Sequence, residues 1–249
     1  MFSVDLNCDM GESFGAWRMG DDAALMDYVS SINVACGFHA GDASVIRRTV
    51  ETAVKKKVAV GAHPSCPDLQ GFGRREMKLS ATEIFDIVLY QVAALKGMCA
   101  ALGGKLHHVK PHGALYNQAA KNAEIARALV EAVGLIDKNL IFYGLSGSFL
   151  ISEAEKIGLQ TKSEVFADRT YQADGALTPR SEPNALISDP KQAIAQVLEM
   201  IFSQQVTATS GEKVALDAET LCIHGDGTNA LEFAKLINAE LTKRGVNIS

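Results

Sequence analysis

Short apolar runs alternate along the chain with longer segments whose apolar positions recur at helical spacing. The short runs predict seven β-strands, and several are continuous enough to be buried on both faces of a parallel sheet. These predicted strands cover residues 2–6, 31–35, 58–62, 106–110, 140–143, 161–166 and 221–224.

Helix signals stand between the predicted strands. Residues 42–57 carry apolar side chains at helical spacing behind Asp42, a residue type suited to the N-cap. A capping-box pattern at residues 80–83 begins the next helix, and glycines 103 and 104 end it. Asp189–Pro190 begins another helix because proline fits the first helical position. A last helix is predicted over residues 229–244.

This alternation predicts βαβ units and a parallel sheet. Seven or eight such units in 249 residues fit a TIM-like α/β barrel, and a doubly wound open sheet is the alternative. No linker or low-complexity stretch interrupts the chain, so we predict one domain over residues 1–249. The polar stretch 167–187 is long for a loop, which is typical of functional loops.

Composition excludes several classes of protein. Apolar residues make up 47% and charged residues 21%, as in globular proteins and unlike disordered chains. A net charge of −5 disfavours nucleic acid and anionic membrane surfaces as partners. The five cysteines are widely spaced and odd in number, which predicts reduced thiols. Without a long apolar run or a signal-peptide pattern, the chain is predicted to be cytoplasmic and not membrane-bound.

Polar residues concentrate where predicted strands end. Asp5, Asn7 and Asp9 share one face of the first strand, and three inward polar groups are costly unless they are paired. Four of the six histidines lie at or just past a strand's carboxyl end: His39, His63, His112 and His224. Because this end holds the active site of parallel α/β folds, these residues predict a functional site there.

Other candidates follow the same strand ends: Glu12, Asp42, Lys110, Glu164, Asp168, Arg169 and Asp226. Asp42 serves equally well as a helix cap, and His107 and His108 are interpreted as packing residues. Asp9, His39 and His63 could hold a metal ion, although no HExxH or CxxC spacing supports one. No GxxxxGK[ST] phosphate loop occurs, but Arg74 in the turn 71–75 suits an anion.

Several motifs in order resemble the LamB/YcsF family, and together they cover nearly the whole chain. They are DLNCDMGE from residue 5, NVACGFHAGD from residue 33, GAHP from residue 61 with GFGRR from residue 71, VKPHGALYN from residue 109, ADR from residue 167 with Asp174, Gly175 and Arg180, and HGD from residue 224. The chain departs from the family pattern at Cys66, where an aromatic is usual, and at Gly227–Thr228, where Thr-Pro is usual.

The resemblance implies a distorted, seven-stranded TIM-like barrel, (β/α)7, of the glycoside hydrolase/deacetylase type. It implies hydrolysis of 5-oxo-L-proline to L-glutamate coupled to cleavage of ATP with Mg²⁺. It also implies that 5-oxoprolinase subunits B and C are partners needed for activity. Two alternatives remain: a stand-alone metal-dependent deacetylase or amidohydrolase, and a non-catalytic subunit that binds 5-oxoproline.

Opening a lactam through a phosphorylated amide needs cations near the phosphate, a base for water and an acid for the nitrogen. We therefore predict catalytic roles for Asp5, Asn7, His39, His63, Lys110, His112 and Glu164. Substrate or phosphate binding is predicted for Asp9, Glu12, Asp42, Arg74, Asp168, Arg169, His224 and Asp226.

Overall fold

The strands and helices are taken from a computed structural model that describes residues 2–225 and 230–249. Within those residues the strands are β1 Ser3–Met10, β2 Ser31–Ala35, β3 Ala59–His63, β4 Leu106–Val109, β5 Ile141–Leu145, β6 Gln160–Phe166, β7 Gln205–Thr207, β8 Lys213–Ala215, β9 Thr220–Ile223 and β10 Asn247–Ile248. The helices are α1 Asp22–Leu25, α2 Ala43–Lys56, α3 Ala81–Ala101, α4 Gly113–Lys121, α5 Ala123–Ile136, α6 Phe149–Lys156, α7 Pro190–Ser203 and α8 Ala230–Lys243.

Seven parallel strands close into a barrel. β1 to β6 pair in chain order, and β9 pairs with both β6 and β1. This closure excludes the open doubly wound sheet and confirms the predicted (β/α)7 barrel, because an open sheet has edge strands with only one neighbour each. All seven predicted strands are barrel strands.

The first strand is longer than predicted. It continues past residue 6 to Met10, where its last four residues pair with β2, and the inward side chains of Asp5, Asn7 and Asp9 find hydrogen-bond partners inside the barrel. The carboxyl end of β1 therefore reaches the mouth of the barrel, which places Asp9 there.

The predicted helix signals are confirmed. Asp42 caps α2 by accepting from Ser44 and Val45, and α3 begins with a complete capping box between Ser80 and Glu83. α7 begins at Pro190 behind Asp189, as expected. The prediction for the last helix agrees with α8 from residue 230 onward, and Asn229 lies outside the described residues.

Helix α3 is long and apolar enough to cross a membrane by length and composition alone. One face of it packs on the barrel, where Ile84, Val88 and Leu95 are buried. Its buried Gln91 accepts from the backbone N–H of Ser65 and donates to that residue's carbonyl (3.0 and 2.8 Å). Those contacts identify α3 as a core helix of the barrel.

Several elements were not predicted one by one. The hairpin β7–β8 and the two-residue strand β10, which pairs with β1, are too short to leave a periodic pattern in the sequence. Helices α4, α5 and α6 also carried no individual prediction. Their positions depend on packing against the barrel and against one another.

The barrel interior contains buried polar side chains below the carboxyl ends of its strands. His108 is buried, stacks on Tyr143 (ring centroids 4.0 Å apart) and donates from Nε2 to Oδ1 of Asn33 (2.8 Å). Gly61 leaves the space for this ring, because a Cβ there would lie 2.1 Å from Nε2 of His108. His108 therefore packs, as predicted, but it also belongs to the interior hydrogen-bond network.

Candidate active site

The carboxyl ends of the barrel strands open into a cavity of about 620 Å³. Polar and aromatic residues from five strand ends and from the 167–187 loop line it. Those used below are Asp9, His63, Arg74, Lys110, His112, Tyr116, Phe166, Arg169, Arg180 and His224. A cavity of this size suits a small ligand or part of a nucleotide, and it lies where parallel barrels hold their active sites.

Lys110 lies at the floor of this cavity among hydrogen-bond acceptors from three strands. Its Nζ lies 2.8 Å from Oδ1 of Asp9, 2.9 Å from Oε1 of Glu164 and 3.2 Å from Oδ1 of Asn7. The Sγ atom of Cys222 lies 3.0 Å away. All of these residues are buried. The arrangement fixes one positive charge under the cavity.

The ion pair between Lys110 and Asp9 sets the charge states of both groups. Burial would raise the pKa of Asp9, but His63 and Lys110 outweigh it and hold that pKa well below its usual value. Burial would lower the pKa of Lys110, but the carboxylate of Asp9 and the neighbouring Cys222 and Glu164 raise it well above its usual value. Lys110 is therefore positively charged at neutral pH.

Asn7 and Glu164 support this lysine from below. Asn7 donates from Nδ2 to Glu164 (3.0 Å) and to the Thr220 hydroxyl (2.7 Å). The Tyr116 hydroxyl donates to the second oxygen of Glu164 (2.7 Å). Both predicted residues are thus brought to Lys110. Tyr116 was missed, although it lies in the VKPHGALYN stretch.

A second cluster, the histidine cluster, consists of Glu12, His39, His63 and His112. The Nδ1 atom of His112 lies 2.9 Å from Nε2 of His63, and the rings of His39 and His112 are stacked 3.8 Å apart. Glu12 Oε1 accepts from His39 Nε2 at 3.4 Å. Burial lowers the pKa of His39 and of His112 well below the usual value. All four predicted residues are therefore close neighbours.

The turn after β3 positions this cluster. Phe72 turns its carbonyl toward Nε2 of His112 (2.8 Å) from a left-handed backbone conformation, φ +54°. Gly73 follows at φ +65°, and a Cβ on it would lie 2.8 Å from Cβ of His39 and 2.9 Å from Cδ2 of His112. Glycine is the residue that can adopt this left-handed backbone conformation while lying so close to both histidines, because it has no Cβ.

A third group is the pair Asp168–His224. Both carboxylate oxygens of Asp168 lie 2.9 Å from Nδ1 of His224, and the imidazole stacks on Phe166 (ring centroids 5.7 Å apart). Burial would raise the pKa of Asp168, but His224 and the arginines Arg180 and Arg169 lower it. Asp168 therefore holds His224 with Nδ1 occupied, which leaves Nε2 as the ring nitrogen for the cavity.

Arginines form one wall of the cavity. Arg169 is buried and donates from Nε to the carbonyl of Ala185 (3.2 Å) and from a terminal nitrogen to that of Thr178 (2.5 Å). Burial lowers its pKa to about 10, so it stays charged at neutral pH. Arg180 comes from the same 167–187 loop, and Arg74 lies with its guanidinium 4.7 Å above the Phe72 ring. The wall can bind phosphate or carboxylate groups.

Of three further predicted site residues, two lie apart from the cavity and one lies outside the described residues. Asp5 lies lower in the barrel, where the hydroxyls of Ser30, Ser31 and Thr220 donate to it (2.7, 2.9 and 2.6 Å). Asp42 accepts backbone N–H groups from Ser44, Val45 and Gly15, as a helix cap does. Asp226 lies outside the described residues.

Two groups of side chains in the described part of the chain could hold a metal ion. In the histidine cluster, and separately in Asp9, Cys222 and His224, the ligand atoms lie within 4.8 Å of one another. The predicted set Asp9, His39 and His63 is divided between them, and Cys222 was not predicted as a candidate. Burial raises the pKa of the Cys222 thiol, so without a bound metal this side chain is neutral at neutral pH.

Comparison with known proteins gives full-length matches. The LamB/YcsF family model matches residues 4–249. The 5-oxoprolinase A subunit of Tolumonas auensis is 58% identical over 248 residues, covering 100% of this chain and 99% of the relative. A protein of the same name from Bacillus cereus is 55% identical over 249 residues, covering 100% of this chain and 98% of the relative.

Solved structures agree with the fold. The lactam utilization protein of Thermus thermophilus matches with a TM-score of 0.93 and 46% identity, covering 99% of both chains. A family 4 carbohydrate esterase of Streptomyces lividans matches with a TM-score of 0.52 and 12% identity, over 100% of this chain and 92% of its own. The second likeness concerns the barrel fold alone.

Proposed function

This chain belongs to the LamB/YcsF family, and from that premise we propose that it is the A subunit of a 5-oxoprolinase. In this proposal it hydrolyses the lactam of 5-oxo-L-proline to L-glutamate. The observation that carries the proposal is end-to-end identity above one half with proteins of that name. The lactam utilization protein of similar structure supports the same class of substrate.

The cavity suits this substrate chemically. 5-Oxoproline is a small anion with one carboxylate and one planar amide, so it needs a cation for the carboxylate and a polarising group for the amide oxygen. We assign the arginine wall, Arg180 above all, to the carboxylate or to a phosphate. The ammonium of Lys110, fixed by Asp9 and Glu164, supplies preorganised positive charge for the oxygen on which negative charge develops.

We assign the proton transfers to the pair Asp168–His224. His224 Nε2 takes a proton from water as the water oxygen attacks the lactam carbon, and Asp168 stabilises the imidazolium that forms. When the carbon–nitrogen bond of the ring breaks, the same imidazolium returns a proton to the departing nitrogen. One histidine thus serves as base and then as acid, which leaves the amine of glutamate.

ATP with Mg²⁺ and subunits B and C complete the proposal. An amide is a poor electrophile, and transfer of the terminal phosphoryl group of ATP to its oxygen, with release of ADP, makes the ring carbon more electrophilic. Attack of water and cleavage of the carbon–nitrogen bond then leave an acyl phosphate of glutamate, and a second water hydrolyses it to glutamate and phosphate, which couples ring opening to ATP cleavage. The arginine wall could bind the transferred phosphoryl group. The subunit name of the relatives supports partner chains, and a cytoplasmic location fits a nucleotide-dependent reaction.

The test is release of glutamate from 5-oxoproline. This chain is assayed alone and with candidate B and C subunits, each with and without ATP and with a metal chelator. Glutamate formed only by the complete set with ATP supports the proposal. Glutamate formed without ATP by this chain alone overturns the ATP and partner assignments. Tight binding of 5-oxoproline without turnover by any combination indicates a binding subunit, and no binding or turnover favours a deacetylase.

A further inference from the structure

The side chains of His63 and His112 face each other through two ring nitrogens, Nε2 of His63 and Nδ1 of His112, that have the same hydrogen-bonding character. The Nδ1 of His63 lies 2.7 Å from the backbone oxygen of Lys110, and the Nε2 of His112 lies 2.8 Å from that of Phe72. A carbonyl oxygen only accepts, so each of those nitrogens carries a hydrogen. The other ring nitrogens, Nε2 of His63 and Nδ1 of His112, therefore hold lone pairs in the neutral rings.

Those two nitrogens lie 2.9 Å apart. Two acceptors at that distance repel each other unless a cation lies between them, and both rings are buried away from water that could separate them. Two carboxylates border the same point: Oδ2 of Asp9 lies 3.3 Å from Nε2 of His63, and Oε1 of Glu12 lies 3.7 Å from Nδ1 of His112. Two nitrogens and two anionic oxygens thus converge.

We propose that this point is a binding site for one divalent transition-metal ion, Zn²⁺ or Mn²⁺, held by His63, His112 and Asp9 with Glu12 beside them. Two nitrogens that each lie about 2.0–2.1 Å from zinc are about 2.9–3.4 Å apart at bond angles of about 90–110°. The observed separation of 2.9 Å lies at the short end of that range, so a tetrahedral ion would move the two nitrogens apart by about 0.5 Å. Nitrogen and carboxylate donors suit these ions better than Mg²⁺.

The surroundings are those that metal ligands need. A histidine ligand usually donates its second ring N–H to a carbonyl or carboxylate, which fixes its orientation, and both histidines do so here. Lys110 binds Oδ1 of Asp9, which leaves Oδ2 for the ion. Asp9, His63 and His112 also line the cavity, so one side of the site is open to the cavity.

His39 has a different part in this site. Its ring lies parallel to that of His112, with an interplanar angle of 6°. The lone pairs of parallel stacked rings lie in separate planes and cannot meet at one ion. His39 instead donates from Nε2 to Glu12, while its buried Nδ1 has no hydrogen-bond partner in the described structure. His39 is therefore a positioning residue for Glu12.

The site goes beyond the proposed function and does not depend on it. Zn²⁺ or Mn²⁺ there would polarise a carbonyl or a bound water at the cavity floor. Metal binding is measured on the purified chain without any partner or nucleotide, so its failure is distinguishable from a failure to release glutamate.

The test is metal content and binding. The chelator-stripped chain is titrated with Zn²⁺ and Mn²⁺ by calorimetry, and with Co²⁺ by visible absorption. We expect one equivalent per chain. His63→Gln and His112→Gln should weaken binding more than about 100-fold and His39→Gln about 10-fold, the size of an outer-contact effect. His107→Gln is the control, because His107 belongs to neither group of potential metal ligands. This variant should bind the metal ions as the parent chain does.

Thermal unfolding of each variant separates loss of the site from loss of the fold. X-ray absorption of the zinc-loaded parent chain is independent of any variant and should show two imidazoles and no sulfur. Sulfur ligation would place the ion at Asp9, Cys222 and His224 and would overturn the proposal. So would binding that survives in both His63→Gln and His112→Gln. Absence of metal binding would also overturn the proposal. The short contact between the two ring nitrogens would then be explained by a proton shared between them.

Discussion

The Nζ atom of Lys110 lies 2.8 Å from Oδ1 of Asp9, and both side chains are buried where the barrel meets its cavity. Burial of a lone charge costs several kcal/mol, so each group depends on the other. The pair joins β1 to the end of β4, on opposite sides of the polar interior. It therefore connects the stability of the barrel to the charge that the cavity presents.

Replacement of Lys110 by methionine should abolish activity of the assembled enzyme and destabilise the chain by about 3–5 kcal/mol, because Asp9 and Glu164 lose their buried counter-charge. Urea unfolding measures the second effect. The double variant Asp9→Asn with Lys110→Met should regain part of the stability and none of the activity. If Lys110→Met alone keeps full turnover, the electrostatic role of this lysine is wrong.

Asp168→Asn should lower kcat by about 10²–10⁴-fold with little change in the free energy of unfolding. An amide can still contact Nδ1 of His224, but it cannot stabilise the imidazolium as a carboxylate does. Steady-state kinetics of the assembled enzyme check this. Asp217→Asn, an exposed change before β9, is the matched control and should leave kcat unchanged. Equal kcat for the two variants would remove His224 from the proton transfers.

Arg180→Gln should raise KM for 5-oxoproline or for ATP about 10–100-fold, because one charge-assisted hydrogen bond contributes about 1.5–3 kcal/mol. Arg180 lines the cavity without being fully buried, so the fold should tolerate the change. Arg244→Gln is the control, since Arg244 pairs with Glu240 near the end of α8. Kinetics with each substrate varied in turn show which anion Arg180 binds.

Gly73→Ala should disrupt the histidine cluster, and Gly103→Ala should not. Both glycines have positive φ (+65° and +77°), so both variants carry backbone strain of about 1–2 kcal/mol. Only at Gly73 would the new Cβ meet His39 and His112, at under 3 Å, whereas nothing lies within 4 Å of a Cβ at Gly103. Metal binding and activity should fall in the first variant alone. Equal losses in both would attribute the effect to strain.

Stability should fall in acid partly through Asp137. The hydrogen bond from Lys96 (2.9 Å) is the main cause that lowers the pKa of Asp137 to about 2, from a usual value of 3.8. A lowered pKa adds stability that is complete above the unfolded-state value and is lost as the pH falls toward 2. Urea unfolding between pH 5 and pH 2 should therefore show a smaller decline in Asp137→Asn and in Lys96→Met than in the parent.

Much of the fold followed from local pattern. Continuous apolar runs identified all seven barrel strands, and capping residues placed the starts of α2, α3 and α7. Periodicity did not distinguish a closed barrel from an open sheet, because both consist of βαβ units. Closure depends on the pairing of β1 with β9, whose partners lie more than 200 residues apart.

The candidate site was predicted in outline by the same logic. Parallel strands end at one edge, so polar residues after each strand had to meet, and His63, Lys110, His112 and His224 do. The hydrogen-bond partners of the predicted site residues depended on the tertiary structure. Asp5 lies on the same strand face as Asp9, yet four residues along a strand place it among hydroxyl groups below the cavity.

The sequence by itself determined the strands, the helix starts, the family resemblance and the edge of the barrel at which the chemistry collects. These follow from spacing along the chain and from the cost of unpaired buried polar groups. Only the tertiary structure decided that His63 and His112 face each other through ring nitrogens, that the ring of His39 stacks on that of His112, and that Asp168 orients His224. Hydrogen-bond direction depends on which carbonyl or carboxylate approaches each ring, and those groups come from distant parts of the chain.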